Sequence, residues 1–120
     1  MAEAVTIRHD EELERAWDVW VLVRKSVGVG SFGINMVELP QGGSITEHDE
    51  TGRDHEEVFF VVAGSPTLVV DGVDHPLRAG SFARLDPEPR RTVRNDDAEL
   101  AKVLIVSAPV SSGYEPMDWA

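Results

Sequence analysis

Histidine and carboxylate side chains are concentrated in one short stretch, residues 48–64, which reads HDETGRDHEEVFFVVAG. Side chains on a strand alternate between its two faces, so His55, Glu57 and Phe59 are predicted to share one face. Imidazole and carboxylate groups on a common face can bind a metal ion, transfer protons or hold a polar ligand. The same composition is also typical of a solvated surface loop, so this stretch by itself supports both interpretations.

Arginine provides a second concentration of charge. Four of the nine arginines fall within eleven residues, namely Arg84, Arg90, Arg91 and Arg94. Guanidinium groups suit bidentate contact with carboxylates, which predicts that this cluster pairs mainly with the chain's own acids, an anion site being the alternative. Acids are abundant, because 22 acidic and 11 basic residues give a formal net charge of −11. Such a balance argues against nucleic-acid binding, which requires a basic surface.

The elements that would position these side chains are mostly strands. The chain has 120 residues, 42% of them hydrophobic, which suits a single domain. Turn signals recur between Gly28 and Pro109 at a spacing of about 8 to 12 residues, which predicts an all-β sandwich or barrel. The predicted strands span residues 32–39, 58–63, 67–70, 73–77, 82–85, 91–94 and 101–107. Segment 58–63 is almost wholly apolar, which predicts burial on both faces, and Pro76 predicts an edge position for its strand.

The N-terminal segment departs from this β pattern. Asp10 can cap a helix that runs from Glu11 to about Trp17, with acidic residues in its first turn. A short strand is predicted before it, at residues 5–7, and a β-branched apolar strand after it, at residues 19–23. The aromatic residues of the helix are expected to pack into the core.

The C-terminal tail is not periodic, but it carries Tyr114, Met117 and Trp119. A free tail would expose these side chains, so we expect them to pack back onto the barrel.

Absent features narrow the class of protein. Cysteine is missing, which excludes disulfides, thiolate metal ligands and cysteine nucleophiles. The chain has no apolar run of about 18 residues that could span a membrane, and its N-terminus lacks the basic start and apolar core of a signal peptide. We therefore expect a cytoplasmic protein that binds neither membranes nor nucleic acid.

Residues 30 to 108 resemble the small single-domain cupins. The first motif of that family is a glycine, five residues, His-x-His, a spacer, a glutamate, six residues and a glycine. Here Gly42 stands six residues before His48, and Glu50 occupies the second histidine position. Glu57 stands seven residues before Gly64, as the motif requires, although the spacer before it is longer than usual.

The second cupin motif runs from a glycine through proline turns to a histidine, followed by an asparagine after three more residues. Here it reads GSFARLDPEPRRTVRN, from Gly80 to Asn95, and Arg91 stands at the histidine position. The resemblance implies an all-β cupin-type jelly-roll barrel with a short N-terminal helix, in a bacterial subgroup with a degenerate metal site. The implied division is an N-terminal segment, 1–29, a barrel, 30–108, and a packed tail, 109–120.

Many cupins hold one divalent metal on three histidines and a glutamate and act as dioxygenases, isomerases or epimerases; others bind small molecules without metal. Arg91 stays protonated and offers no lone pair, and its charge opposes a nearby cation. We therefore expect a small-molecule-binding cupin with a polar cavity, metal-free or weakly metal-binding. The predicted ligand-binding residues are His48, Glu50, Glu57, Phe59 and Arg91. In this interpretation Arg91 holds either an anionic ligand or the Glu57 carboxylate.

The alternative is a metal-dependent cupin enzyme, an oxygenase or isomerase. His48, His55 and Glu57 would then bind iron, manganese or zinc, and Glu50 could replace His55. A third interpretation is a structural or partner-binding module without cavity chemistry. The resemblance also implies a homodimer. His9 and His75 are predicted to be surface residues.

Overall fold

The chain folds into two antiparallel β-sheets, as a computed structural model describing residues 4–120 shows. The strands are β1 (Arg15–Ala16), β2 (Trp20–Val21), β3 (Gly33–Leu39), β4 (His55–Ala63), β5 (Thr67–Val70), β6 (Val73–Pro76), β7 (Phe82–Leu85), β8 (Arg91–Arg94) and β9 (Ala101–Pro109). A 3-10 turn, Asp10–Glu12, precedes them, and one helix, α1 (Val23–Val27), follows β2. The fold is therefore mostly β, as predicted, and the predicted barrel strands are confirmed to within a few residues.

The two sheets pack face to face around one core. The larger sheet has the strand order β1-β2-β3-β9-β4-β7, and the smaller sheet has the order β6-β5-β8. The core side chains come from both sheets and from the loop after β3; they are Val37, Leu39, Ile45, Phe59, Val61, Leu68, Leu85, Val93, Ala101, Val103 and Ile105. Pro76 lies in β6, at the edge of the smaller sheet, where its missing N–H interrupts no ladder.

Strand β4 buries only one face. Glu57, Phe59 and Val61 point into the core with at most 6% exposure, whereas Val62 is 46% exposed. The predicted burial of both faces is therefore wrong, because no third layer covers the outside of the larger sheet. Phe60 on that outer face packs against Phe82 of β7, with ring centroids 4.4 Å apart.

The predicted helix from Glu11 to Trp17 is wrong: only the turn Asp10–Glu12 is helical, and it is a 3-10 turn. Strand β1 pairs with β2, and β2 pairs with β3, so hydrogen bonding to the larger sheet replaces the helix that the spacing favoured. Trp17 lies in the tight connection between β1 and β2 with a positive φ of 51° and is 78% exposed, so its predicted core position is wrong too.

Three other expectations for the chain ends need correction. Residues 5–7 form no strand, and the predicted strand 19–23 is reduced to β2, after which the chain turns into α1. The side chains of Tyr114, Met117 and Trp119 are 64–82% exposed and do not pack onto the barrel. Strand β9 already has neighbours on both sides, β3 and β4, so the sheet offers the tail no open edge beside β9. Within residues 4–120 no helix is long and apolar enough to cross a membrane.

Two landmarks of the cupin motifs lie at tight points of the barrel. Gly64 has a positive φ of 83°, and a Cβ there would lie 2.8 Å from both the Ala101 Cα and the Leu100 carbonyl oxygen. The fully buried Asn95 side chain donates hydrogen bonds of 2.8 Å to the Leu39 and Glu99 carbonyls. Both residues hold the ends of β4 and β8 against the start of β9.

The close approach at Gly64 predicts a large cost for a methyl group there. We expect Gly64→Ala to lose about 1–2 kcal/mol for the left-handed backbone and about 1–3 kcal/mol more for the overlap with β9. Gly72→Ala is the matched control, because Gly72 has a similar φ of 78° but no atom within 4 Å of the added Cβ. Urea denaturation measures both losses, and equal losses would contradict the packing described at Gly64.

Candidate functional site

Backbone hydrogen bonds bring the polar stretch against β8. The His48 N–H donates to the Arg91 carbonyl at 3.0 Å, and the Arg91 N–H donates to the His48 carbonyl at 2.7 Å. Two residues later, the Glu50 N–H donates to the Pro87 carbonyl at 2.9 Å. The loop after β3 therefore lies along β8 like an additional strand, and it carries His48 and Glu50 to the interior-facing side of β4, where Glu57 points.

Three side chains meet at this point. One imidazole nitrogen of His48 and one carboxylate oxygen each of Glu50 and Glu57 lie within 4.8 Å of one another. The His48 Nε2 is 3.2 Å from the Glu50 Oε1, and its Nδ1 is 2.8 Å from the Thr46 carbonyl oxygen. Because a carbonyl only accepts, Nδ1 carries the hydrogen. In the neutral ring, Nε2 therefore carries a lone pair that faces the Glu50 carboxylate. This contact becomes favourable when a proton or a metal cation lies between the His48 Nε2 and the Glu50 oxygen.

His55 is not a member of this cluster within the described residues. It begins β4 and lines the same cavity nearer to its mouth. The sequence predicted His48, His55 and Glu57 as the metal set, with Glu50 as a replacement for His55. The described cluster corresponds to that replacement, because Glu50 and not His55 lies beside His48 and Glu57.

Arg91 is fully buried and is held by backbone carbonyls. Its two terminal nitrogens donate to the Asp86 and Pro87 carbonyl oxygens. Its Nε lies 3.4 Å from the Glu57 Oε1, close enough for an ion pair, but neither atom makes a hydrogen bond within the described residues. The predicted pairing of Arg91 with Glu57 is therefore present as an ion pair. Arg91 does not line the cavity, so its guanidinium is a counter-charge that lies behind Glu57.

The surroundings of Glu57 disfavour its charged form. Burial raises the pKa of the Glu57 carboxyl above its usual range, and the neighbouring Glu50 carboxylate raises it further. Arg91 and His48 act in the opposite direction and lower this pKa, but they do not reverse the shift. A carboxyl with a raised pKa close to a second carboxylate is suited to sharing or exchanging a proton.

The polar end of a cavity of about 240 Å³ is formed by His48, Glu50 and Glu57. Its apolar wall consists of Trp20, Ile34, Phe59 and Ile105, and its remaining lining residues are Gly33, Asn35, Arg53, His55 and Ser107. The cavity thus combines a carboxylate-rich end with an apolar wall, an arrangement typical of small-molecule sites.

Some lining residues were not predicted from the sequence. Asn35 and Ser107 stand on the inward face of β3 and β9, two positions from Val37 and Ile105, so strand alternation could have identified them. Arg53 lies in the turn before β4, and no sequence pattern assigns a direction to its side chain.

The remaining arginines of the cluster pair with acids, as predicted. Arg84 contacts Glu56 at 2.9 Å, and Arg90 contacts Glu47 at 3.3 Å. Arg94 contacts Asp74 at 2.7 Å. His9 and His75 are exposed, which confirms their prediction as surface residues.

The contrast between adjacent arginines gives a stability prediction. We expect Arg91→Ala to cost about 3 kcal/mol or more, because it leaves the buried Glu57 carboxylate without a counter-charge. Arg90→Ala is the control: this side chain is 55% exposed, and an exposed ion pair is worth about 1 kcal/mol or less. Chemical denaturation of both variants, with Arg91→Lys as a milder change that keeps the charge, measures the difference. Equal stability of the two alanine variants would refute the role given to Arg91.

The raised pKa of Glu57 predicts a particular dependence on pH. The folded protein holds the Glu57 proton more tightly than the unfolded chain does, so this group adds stability as the pH falls from its raised pKa towards the ordinary value of about 4.3. Glu57→Gln cannot gain that contribution, so its stability relative to wild type should decline as the pH is lowered through this interval.

Glu56→Gln is the matched control, since Glu56 is adjacent in sequence but points outward to Arg84. Its stability difference from wild type should stay within about 1 kcal/mol at every pH. Parallel pH profiles for Glu57→Gln and wild type would contradict the assignment.

Comparison with known proteins agrees with this architecture. Residues 35–107 match the family of the cupin domain. A cupin protein from Bacteroides fragilis superposes with a TM-score of 0.77 at 18% identity, over 98% of this chain and 94% of that one. A Cupin 2 conserved barrel domain protein from Salinispora arenicola gives a TM-score of 0.60 at 26% identity, over 69% of this chain and 67% of that one.

A predicted oxalate decarboxylase from Thermotoga maritima gives a TM-score of 0.70 at 17% identity, over 87% of this chain and 99% of that one. No curated protein sequence matches the chain. The family match covers more than half of the chain and spans strands β3 to β9, which build the barrel and the cavity. This protein belongs to the cupin family.

Proposed function

We propose that this protein binds a small polar molecule in the barrel cavity and that binding does not require a metal. The observation that carries the proposal is the cavity of about 240 Å³, polar at the His48–Glu50–Glu57 end and apolar along the wall that Phe59 belongs to. The Glu50 and Glu57 carboxylates and the Nε2 lone pair of His48 give the polar end an excess of hydrogen-bond acceptors. The matching ligand group is therefore a donor, such as a hydroxyl or an ammonium.

Arg91 does not bind the ligand in this proposal, although the sequence predicted it as a ligand-binding residue. Arg91 is fully buried, its terminal nitrogens donate to backbone carbonyls, and its side chain does not line the cavity, so an anionic ligand group in the cavity does not reach the guanidinium. Arg91 instead supplies a fixed positive charge close to Glu57, in the motif position where metal-binding cupins have a histidine. A permanent cation there weakens the binding of a divalent ion through repulsion.

The alternative is a metal-dependent enzyme, and one observation favours it. The Nδ1–H of His48 is held by the Thr46 carbonyl, which leaves Nε2 free to coordinate, as is usual for metal-binding histidines. One imidazole nitrogen and two carboxylate oxygens are suitable ligands for a divalent ion, and they would come from His48, Glu50 and Glu57. Such an ion would act as a Lewis acid towards a bound oxygen group. A purely structural role without cavity chemistry is the third candidate.

The homodimer and the cytoplasmic location stay predictions. An apolar row crosses the outer face of four strands through the paired residues Met36, Leu104, Phe60 and Phe82. Phe82 in this row is 74% exposed. The row supports the homodimer because a second copy would bury it.

Elemental analysis of protein purified without chelators tests the proposed function directly. We expect clearly less than one equivalent of divalent metal, because the position of the third imidazole holds a fixed cation without a lone pair. Mass spectrometry of the denatured protein identifies any small molecule that co-purifies. Stoichiometric metal in the wild type would show that the enzyme alternative is correct.

The variant Arg91→His tests whether the arginine at position 91 is the cause of weak metal binding. It removes the positive charge and supplies a fourth ligand, so we expect stronger stabilisation by iron, manganese or zinc than in wild type. Arg90→His is the matched control, because Arg90 carries the same substitution on an exposed side chain directed to Glu47. Equal metal-induced shifts in melting temperature for the two variants would contradict the proposed cause of weak metal binding.

A further inference from the structure

The cavity continues into a second depression at its mouth. This outer depression has a volume of about 410 Å³ and shares Gly33, Asn35, Arg53, His55 and Ser107 with the inner cavity. Arg24 of α1 and Arg53 of the turn before β4 both line it. A molecule that reaches the carboxylate-rich end through this opening would pass both guanidinium groups.

The charges of these two arginines are not neutralised by the chain itself. Within residues 4–120, neither Arg24 nor Arg53 has a carboxylate oxygen within 4.0 Å, whereas Arg15, Arg84 and Arg94 each contact two acids. Within the same residues, the Arg24 side chain donates one hydrogen bond, of 3.0 Å, to the Val29 carbonyl. Arg8 and Arg78 also lack an acidic partner among the described residues, but neither of them lines the inner cavity or the outer depression, so Arg24 and Arg53 are the arginines that bring unpaired positive charge to this opening.

Neutral hydrogen-bonding groups stand beside these cations. Asn35 and Ser107 belong to both the inner and the outer depression, as does His55, and their side chains can donate hydrogen bonds. The lining therefore changes from acceptors at Glu50 and Glu57 to donors at the mouth.

We propose that the mouth is an oxyanion subsite, in which Arg53 is the principal residue and Arg24 and His55 assist it. The ligand then carries a carboxylate or phosphate at one end, bound at the mouth, and hydroxyl or ammonium donors at the other, bound by Glu50 and Glu57. Guanidinium groups bind both kinds of oxyanion in bidentate geometry. This inference rests on the proposed function and specifies the ligand class for the same cavity.

Amide-detected NMR titration of the full chain tests the inference with three matched probes. Glycerol has hydroxyl donors only, glycerate adds a carboxylate, and glycerol 3-phosphate adds a phosphate. We expect both anionic probes to shift the amides of Asn35, His55 and Ser107 and to bind more tightly than glycerol. Whichever anion binds more tightly identifies the oxyanion that the mouth prefers.

Variants then separate a subsite from general electrostatic attraction. Arg53→Gln should weaken the binding of both anionic probes about tenfold, as expected for the loss of a charge-assisted hydrogen bond, and leave the affinity for glycerol unchanged. Arg78→Gln is the matched control, because Arg78 is exposed, contacts no carboxylate within the described residues and lines neither depression. This control variant should bind both anionic probes with the affinity of the wild type.

The possible failures are distinguishable. If glycerol shifts the cavity amides but the anions bind no more tightly, or if Arg78→Gln weakens the anions as much as Arg53→Gln does, the oxyanion subsite is refuted and the proposed function stands. If none of the three probes shifts the amides that line the cavity, both the subsite and the proposed function are contradicted.

Discussion

Burial of the Arg91 guanidinium beside the Glu57 carboxylate is the interaction on which the interior of the barrel depends. A buried charge requires a partner, and these two groups lie 3.4 Å apart at almost no exposure. The backbone of Arg91 pairs with His48 in the same place, so one residue aligns the polar loop and balances its charge. The cost of burial is only partly offset, because the pKa of Glu57 stays raised.

This arrangement separates the cation from the cavity. Arg91 lies behind Glu57, with its terminal nitrogens held by the carbonyls of the Asp86–Pro87 turn, and the carboxylates of Glu50 and Glu57 face the open space. A metal-binding cupin would place a neutral imidazole and an exchangeable ion at this point. Here a covalently attached cation stands in the motif position of the histidine, which couples the charge balance of the site to the stability of the fold.

The cavity is also graded in charge from its inner end to its mouth. The inner end is rich in acceptors, the wall is apolar, and the mouth carries Arg24 and Arg53 without acidic partners among the described residues. Such a gradient favours a ligand of fixed orientation over one that binds either way round. Different elements supply the two charged ends: the inner carboxylates come from β4 and the loop after β3, and the two arginines at the mouth come from α1 and the turn before β4.

The sequence by itself determined the barrel strands and which of their side chains share a face. Turn residues mark the ends of β5, β7 and β8 in the sequence. Alternation places Glu56 and Glu57 on opposite faces of β4, and the cupin motif identifies Glu57 as the inward one. Only the tertiary structure decided which groups meet. Contacts between distant segments decide three features: strand pairing replaces the predicted helix near Trp17, Glu50 and not His55 joins the cluster, and Arg53 lies at the mouth of the cavity. Local periodicity carries no information on such contacts, because it reports only the neighbours along one element.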